Sequence, residues 1–232
     1  DGNTSSTINT AGTNSHTYAL TASASLVKID LAANSGSVAG WDVFSADVTD
    51  AAVTDQNAVD NDVTLSITGI LGTNNPNGAG ATTVDGMTIP LEANNDYVYG
   101  NQSGSILFEF KNLDAGNYNV SVFAGRTSDG NQEGTIWAGA VGDEPAQNTG
   151  DFANSSSTLA VSIGASDSLF YRHFAGTDWT GGTSGLIVHS VPVPEAGNYV
   201  IKIDGNFTGY GWQSAVPTAA NVAAITGVTQ WN

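Results

Sequence analysis

Apolar and polar residues alternate along most of the chain. SLVKIDLA sets Val27, Ile29 and Leu31 on one face, with Lys28 and Asp30 opposite. DVTLSITGI does the same with Val63, Leu65 and Ile67, and SILFEFKNL with Ile106, Phe108 and Phe110. STLAVSIGA aligns Leu159, Val161 and Ile163; GLIVHSVPV alternates Ile187, His189 and Val191 with Leu186, Val188 and Ser190. NVAAITGVTQW closes the chain. A period of two bounded by Gly, Asn, Asp or Pro marks strands and turns. Helical periodicity is nearly absent, and only SADVTDAAVTDQNAVD (45–60) reads as a helical turn or an acidic loop.

One phrase is written twice: DAGNY at 114–118 and EAGNY at 195–199, each opening an alternating run. The acid and Ala-Gly-Asn predict a turn, with Gly116 and Gly197 free to take positive φ. Tyr118, Val120 and Val122 then share one face, as do Tyr199, Ile201 and Ile203. The flanking sequences do not align, so convergent turn chemistry explains the echo better than duplication. The expected fold is all-β: a single antiparallel β-sandwich of jelly-roll type with long loops near 72–96, 127–156 and 173–184. Helix should stay under about a tenth. The inward faces of these runs, among them Phe108, Leu159 and Val161, form the expected core.

Composition narrows the partners. Charged residues make up 12% of the chain, and Asn, Ser, Thr and Gly carry its polarity. Net charge is −17, with 22 acidic residues against five basic ones. Phosphate binding needs clustered Lys and Arg, so nucleic acid and anionic membrane surfaces are poor partners. Cations, neutral sugars or further copies of the chain fit better. There is no Cys, hence no disulfide and no thiol chemistry. No apolar run reaches membrane-spanning length. The Lys-poor, Asn/Thr/Ser/Gly-rich balance and the opening DGNTSSTINT predict a secreted, cell-surface or extracellular protein of bacterial type, with the opening a mature N-terminus left by signal cleavage.

Catalysis is weakly marked. His16, His173 and His189 are far apart in sequence, and GNQSG (100–104) lacks nucleophile-elbow spacing. Glu109 pairs with Lys111 on one strand face, and Glu195 stands in the repeated turn. That leaves Glu133 and Glu144 as the carboxylates for a glycosidase or lyase, which needs two across a cleft. A non-catalytic protein is expected.

Two patterns point to binding. DGNQEG (129–134) sets Asp129, Asn131 and Glu133 at alternating positions before Gly134, as calcium loops do around a sharp turn. The alternative is a solvated hairpin. Asp47, Asp50, Asp55, Asp60 and Asp62 crowd one acidic run and repel one another unless water or a cation screens them. Trp137, Trp179, Tyr210 and Trp212 are candidate platforms for sugar C–H faces, and Trp179 lies in the Gly-rich AGTDWTGGTSG. Trp41 is expected in the core.

YVYGNQSGSILFEFKNLDAGNYNVSVFAGR (97–126) and GNFTGYGWQSA (205–215) resemble a module of secreted bacterial proteins, similar to galactose-binding-like and malectin-like jelly rolls. The resemblance covers about half the chain and implies carbohydrate binding, with no binding residue carried over. The long insertion after Arg126 departs from that pattern.

Two functions compete. In the first, the chain is an adhesive or structural subunit. Residues 1–24 form an extended N-terminal segment, distinct from a sandwich domain at 25–232. The segment adds as a strand to a neighbouring copy through Thr7, Ile8, Tyr18 and Leu20, in a calcium-stabilised polymer. In the second, it is a lectin-like module that binds a polysaccharide.

Overall fold

A computed structural model of the chain describes residues 24–32, 37–57, 62–74, 83–100, 104–124, 132–174 and 182–191, all within the unit Ser23–Val193. Among them 58% are in strands and 6% in helical turns, as the alternating pattern requires. The strands are β1 (Leu26–Leu31), β2 (Asp42–Phe44), β3 (Val48–Ala52), β4 (Thr64–Thr68), β5 (Gly72–Asn74), β6 (Thr83–Val84), β7 (Met87–Thr88), β8 (Tyr97–Tyr99), β9 (Ser105–Lys111), β10 (Gly116–Ala124), β11 (Glu133–Gly139), β12 (Ser155–Ile163), β13 (Ser168–Phe174), β14 (Gly182–Thr183) and β15 (Gly185–Val191), with one short helix α1 (Leu91–Asn95).

Two five-stranded sheets face each other, ordered β12-β10-β15-β1-β2 and β11-β13-β9-β4-β3. From β9 onward the long strands fall alternately in the two sheets, which is the jelly-roll winding. One pairing departs from the antiparallel expectation: β1 and β2 run parallel. Val27, Ile29 and Leu31 of β1, Val120 and Val122 of β10, and Leu186 and Val188 of β15 meet Leu65, Ile67, Phe108, Phe110 and Tyr171 of the other sheet. Each strand gives alternate side chains to this layer because its pleat sends successive residues to opposite faces.

Several expectations need correction. Leu159 and Val161 are only half-buried, because β12 ends its sheet's order and packs at the core's margin. Within the 45–60 stretch, Val48–Ala52 is a strand paired with β4 rather than a helical turn. Three of its carboxylates have donors of their own. Asp47 accepts the Gly69 and Ile70 amides, Asp55 accepts the Leu26 and Asn57 amides, and Asp50 pairs with Lys111 at 2.7 Å. That Lys111 hydrogen bond holds the Asp50 carboxyl below its usual range. Asp60 lies outside the described residues.

The DAGNY turn also differs from its reading. Positive φ falls on Asn112 (62°), not on Gly116, which starts β10. The tyrosine explains the phrase: the Tyr118 hydroxyl donates to the Asp114 carbonyl at 2.9 Å, tying the buried ring back to its own turn. The second copy, with Tyr199, Ile201 and Ile203, lies outside the described residues.

The stretches 72–96, 127–156 and 173–184 hold more structure than loops. They contain the strands β5 and β14 that flank β8 in a small sheet, the β6–β7 hairpin, α1, and the full-length strand β11. The hairpin and α1 cover the outer face of the first sheet. There Val84, Ile89 and Ala93 join Trp41, Phe123 and Ile187 in a second buried cluster. Trp41 is in the core as expected, edge-on to Phe123.

Candidate functional site

Buried polar residues gather at one end of the sandwich. Asp30, Asn94, Asp96, Gln132, His173, Thr183 and Ser184 are all within 1% of full burial. Apolar residues fill the middle, so this end carries the unusual chemistry. Burying polar groups is costly unless they are bonded, which makes such clusters informative.

The end is built by strand registers. Glu133 of β11 pairs with Phe174 of β13, which pairs with Ser105 of β9. Gln132, which precedes β11, and Gly182, which opens β14, therefore lie side by side at this end. The Gly182 amide donates to Gln132 Oε1 at 2.6 Å, fastening the bases of the two connections together. Gln132 is itself held: its amide donates to Asp151 Oδ1, and its carbonyl accepts the Phe152 amide. Ser184 completes the frame, donating its amide to the Phe123 carbonyl and accepting from the Leu31 amide, both at 2.9 Å.

Gly182 is required here by close approach. A Cβ would lie 2.7 Å from Tyr97 Cε2, inside the ring's contact distance. Tyr97 cannot retreat easily, because it is buried and its hydroxyl accepts from Asn74 Nδ2 at 3.1 Å. Gly182→Ala should therefore cost roughly 1–3 kcal/mol by overpacking. A chemical denaturation midpoint equal to the wild type's would show that Tyr97 yields freely.

Behind the frame, Tyr171 and His173 share a hydrogen bond of 2.9 Å between the phenol oxygen and Nδ1. Burial pushes the Tyr171 phenol up, against a smaller opposing effect of its hydrogen bond with Thr183. The phenol is thus a fixed neutral donor or acceptor rather than a titrating group. His189 stands elsewhere, on β15, with Nδ1 3.5 Å from Asp85 Oδ2.

The residues singled out in the sequence separate into placed and unplaced. Trp137 is buried, 5% exposed, with its ring stacked on Phe170 at 4.9 Å and its Nε1 donating to the Ala140 carbonyl. It offers no face to a sugar, which corrects its reading as a platform: β11 sends it into a ring stack. Glu133 opens β11 and is half-buried. Glu144 forms an ion pair with Arg172 at 2.8 Å, while Arg172 Nη1 donates to Ser105. Glu144 is thereby tied up as a structural acid. Trp179, Tyr210, Trp212, Asp129, Asn131, Thr7, Ile8, Tyr18 and Leu20 lie outside the described residues.

Sequence reasoning missed Gln132 and Asp30. Gln132 looked like part of a polar loop. Asp30 looked like the wet side of an alternating strand, yet it is fully buried beneath the cover of the first sheet. No helix of the described residues is long and apolar enough to cross a membrane.

No protein-family model and no curated protein matches the chain. Among solved structures it is similar to the protein YXIM of Bacillus subtilis, at 15% identity and a TM-score of 0.37, over 72% of this chain and 40% of that one. It thus spans well under half of that protein's length. It is also similar to a family 35 carbohydrate-binding module from an environmental isolate, at 10% identity and a TM-score of 0.32, over 55% of this chain and 98% of the module. A further similarity is to the family 35 module of Paenibacillus barcinonensis, at 19% identity and a TM-score of 0.28, over 54% of this chain and 97% of that module. Likenesses this distant establish no family for the chain.

Proposed function

We propose that the chain is a non-catalytic, extracellular carbohydrate-binding module. Its ligand meets the loop end of the sandwich, and Trp179 is the stacking platform. The observation that carries this reading is the Gln132–Gly182 hydrogen bond, which joins the bases of the two connections. One of these holds Trp179 and the other Asp129 and Asn131. A frame fixed before the ligand arrives reduces the ordering cost of binding. Recognition on loops held by a rigid β scaffold is the common arrangement.

The ligand class follows from charge. At net −17 an acidic polysaccharide is repelled and a neutral one is not. Pyranose rings present C–H faces that stack on indole, while loop Asp and Asn side chains take their hydroxyls.

Affinity electrophoresis in gels containing neutral polysaccharides (xylans, mannans, β-glucans, galactans) tests the reading. At least one should retard the wild type, and Trp179→Ala should migrate freely with an unchanged melting temperature. Equal mobility in every gel sinks the proposal.

A further inference from the structure

The two large sheets end in four edge strands, β12 and β2 in the first and β11 and β3 in the second. An edge presents unpaired amides and carbonyls that invite a further strand, and folded proteins blunt most of their edges. Three of these four are blunted. β11 is capped by the segment that follows it. Asn148 Oδ1 accepts the Ile136 amide, Asn148 Nδ2 donates to the Ile136 carbonyl, and the Asn148 and Thr149 amides donate to the Gly134 carbonyl. β3 is broken by a register shift between Val48 and Ala51, with Asp50 at a φ of 46°. β2 has only three residues and opens on the charged Asp42.

β12 has none of these devices. It runs for nine residues, SSSTLAVSI, without a charge or a proline. It pairs with β10 at every one of them, with no register shift. In an antiparallel pair every second residue turns its amide and carbonyl away from the partner strand. Among the described residues, no backbone–backbone bond outside the β10 ladder reaches 156–163. Leu159 and Val161 lie half-buried along this open edge.

We propose that β12 is a dimerisation strand, pairing antiparallel with β12 of a second copy of the chain about a two-fold axis at Leu159. The strand is self-complementary in that register. On the inner face Leu159 meets its own copy and Val161 meets Ser157, so the half-covered margin of the core gains its missing cover. On the outer face Ala160 meets Thr158 and Ser162 meets Ser156, all small and uncharged. A contact that uses one patch twice closes at two copies. Charge selects this patch as well. Each copy carries a net −17, so acidic surfaces repel one another, and β12 brings no charge to the axis. Two five-stranded sheets then join into one of ten strands. The contact does not depend on carbohydrate binding.

The test uses the full chain in size-exclusion chromatography with light scattering, over a concentration series. The wild type should reach twice the chain mass. The double variant Ser156→Lys, Ser162→Lys sets like charges directly opposite at both ends of the strand pair, which is destabilising. It should halve the mass to a monomer's at every concentration, with unchanged circular dichroism. Ser156→Glu with Ser162→Glu should do the same. Mixed together, the two variants set Lys opposite Glu and should dimerise again. The proposal is overturned if the wild type is monomeric throughout or if the mixture stays monomeric. A dimer or polymer that persists in both charged variants puts the contact elsewhere, as in the addition of residues 1–24 to a neighbour, and overturns it too. Hydrogen exchange on the wild type decides the case in which a variant fails to fold. Protection of the amides of 156–162 should rise with protein concentration, and protection that ignores concentration would refute the pairing.

Discussion

Phe108→Ala is expected to destabilise the domain by roughly 3–5 kcal/mol, the cost of a large cavity in a packed core. Phe108 is fully buried and stacks on Tyr171, with ring centroids 5.3 Å apart. Its neighbours come from both sheets, so no single strand can close the gap. Tyr171 also holds the hydrogen bond to His173, and a shift of its ring would loosen the frame at the loop end. Urea denaturation measures the loss. A value below about 1 kcal/mol, the range of ordinary surface changes, would mean that Phe108 is not in the core.

The second large effect is a pH dependence. Asp30 has its folded pKa raised from 3.8 to about 7, first by burial and then by Asp96. A carboxyl that binds its proton more tightly in the folded state favours folding when protonated. Its contribution is therefore fully present below pH 3.8, falls as pH rises, and is gone above about pH 7. Over that window the loss is at most about 4 kcal/mol, at 1.36 kcal/mol per unit. Asp30→Asn carries no titrating group and should flatten this part of the profile. It should be more stable than the wild type at pH 8. An unchanged profile in Asp30→Asn would place the titration elsewhere.

The strands that alternate cleanly were legible in the sequence because one of their faces stays polar. β1, β4, β9 and β10 all read directly, and so did the burial of Trp41. β13 and β11 were not readable by the same rule. In SLFYRHF, Leu169 and Tyr171 enter the main core while Phe170 turns outward to stack on Trp137. With both faces apolar, the period of two disappears. β15 behaves similarly: Leu186 and Val188 face the other sheet, and Ile187 enters the outer cluster.

The site was less legible than the fold, for a physical reason. Asp30 reads as solvent-facing because only its own strand was in view. The outer cluster on that side of the sheet draws on Val84, Ile89 and Ala93, more than fifty positions later in the chain. The Gln132–Gly182 bond likewise joins residues whose nearness depends on the β11–β13 register. Local composition misjudged Trp137, whose ring is consumed by Phe170, and the Gly-rich neighbourhood of Trp179 lies outside the described residues. The N-terminal strand-addition reading rested on residues 1–24, and among the described residues no feature depends on it. Light scattering on full-length protein separates that polymer from a monomeric module.

The most direct test of the central claim is a calorimetric titration of the wild type and Trp179→Ala with the neutral polysaccharide that retards the protein most. The loop-end account predicts saturable binding by the wild type and an affinity at least about tenfold lower in the variant, or about 1.4 kcal/mol, with its melting temperature unchanged. Equal affinities for the two proteins would contradict it.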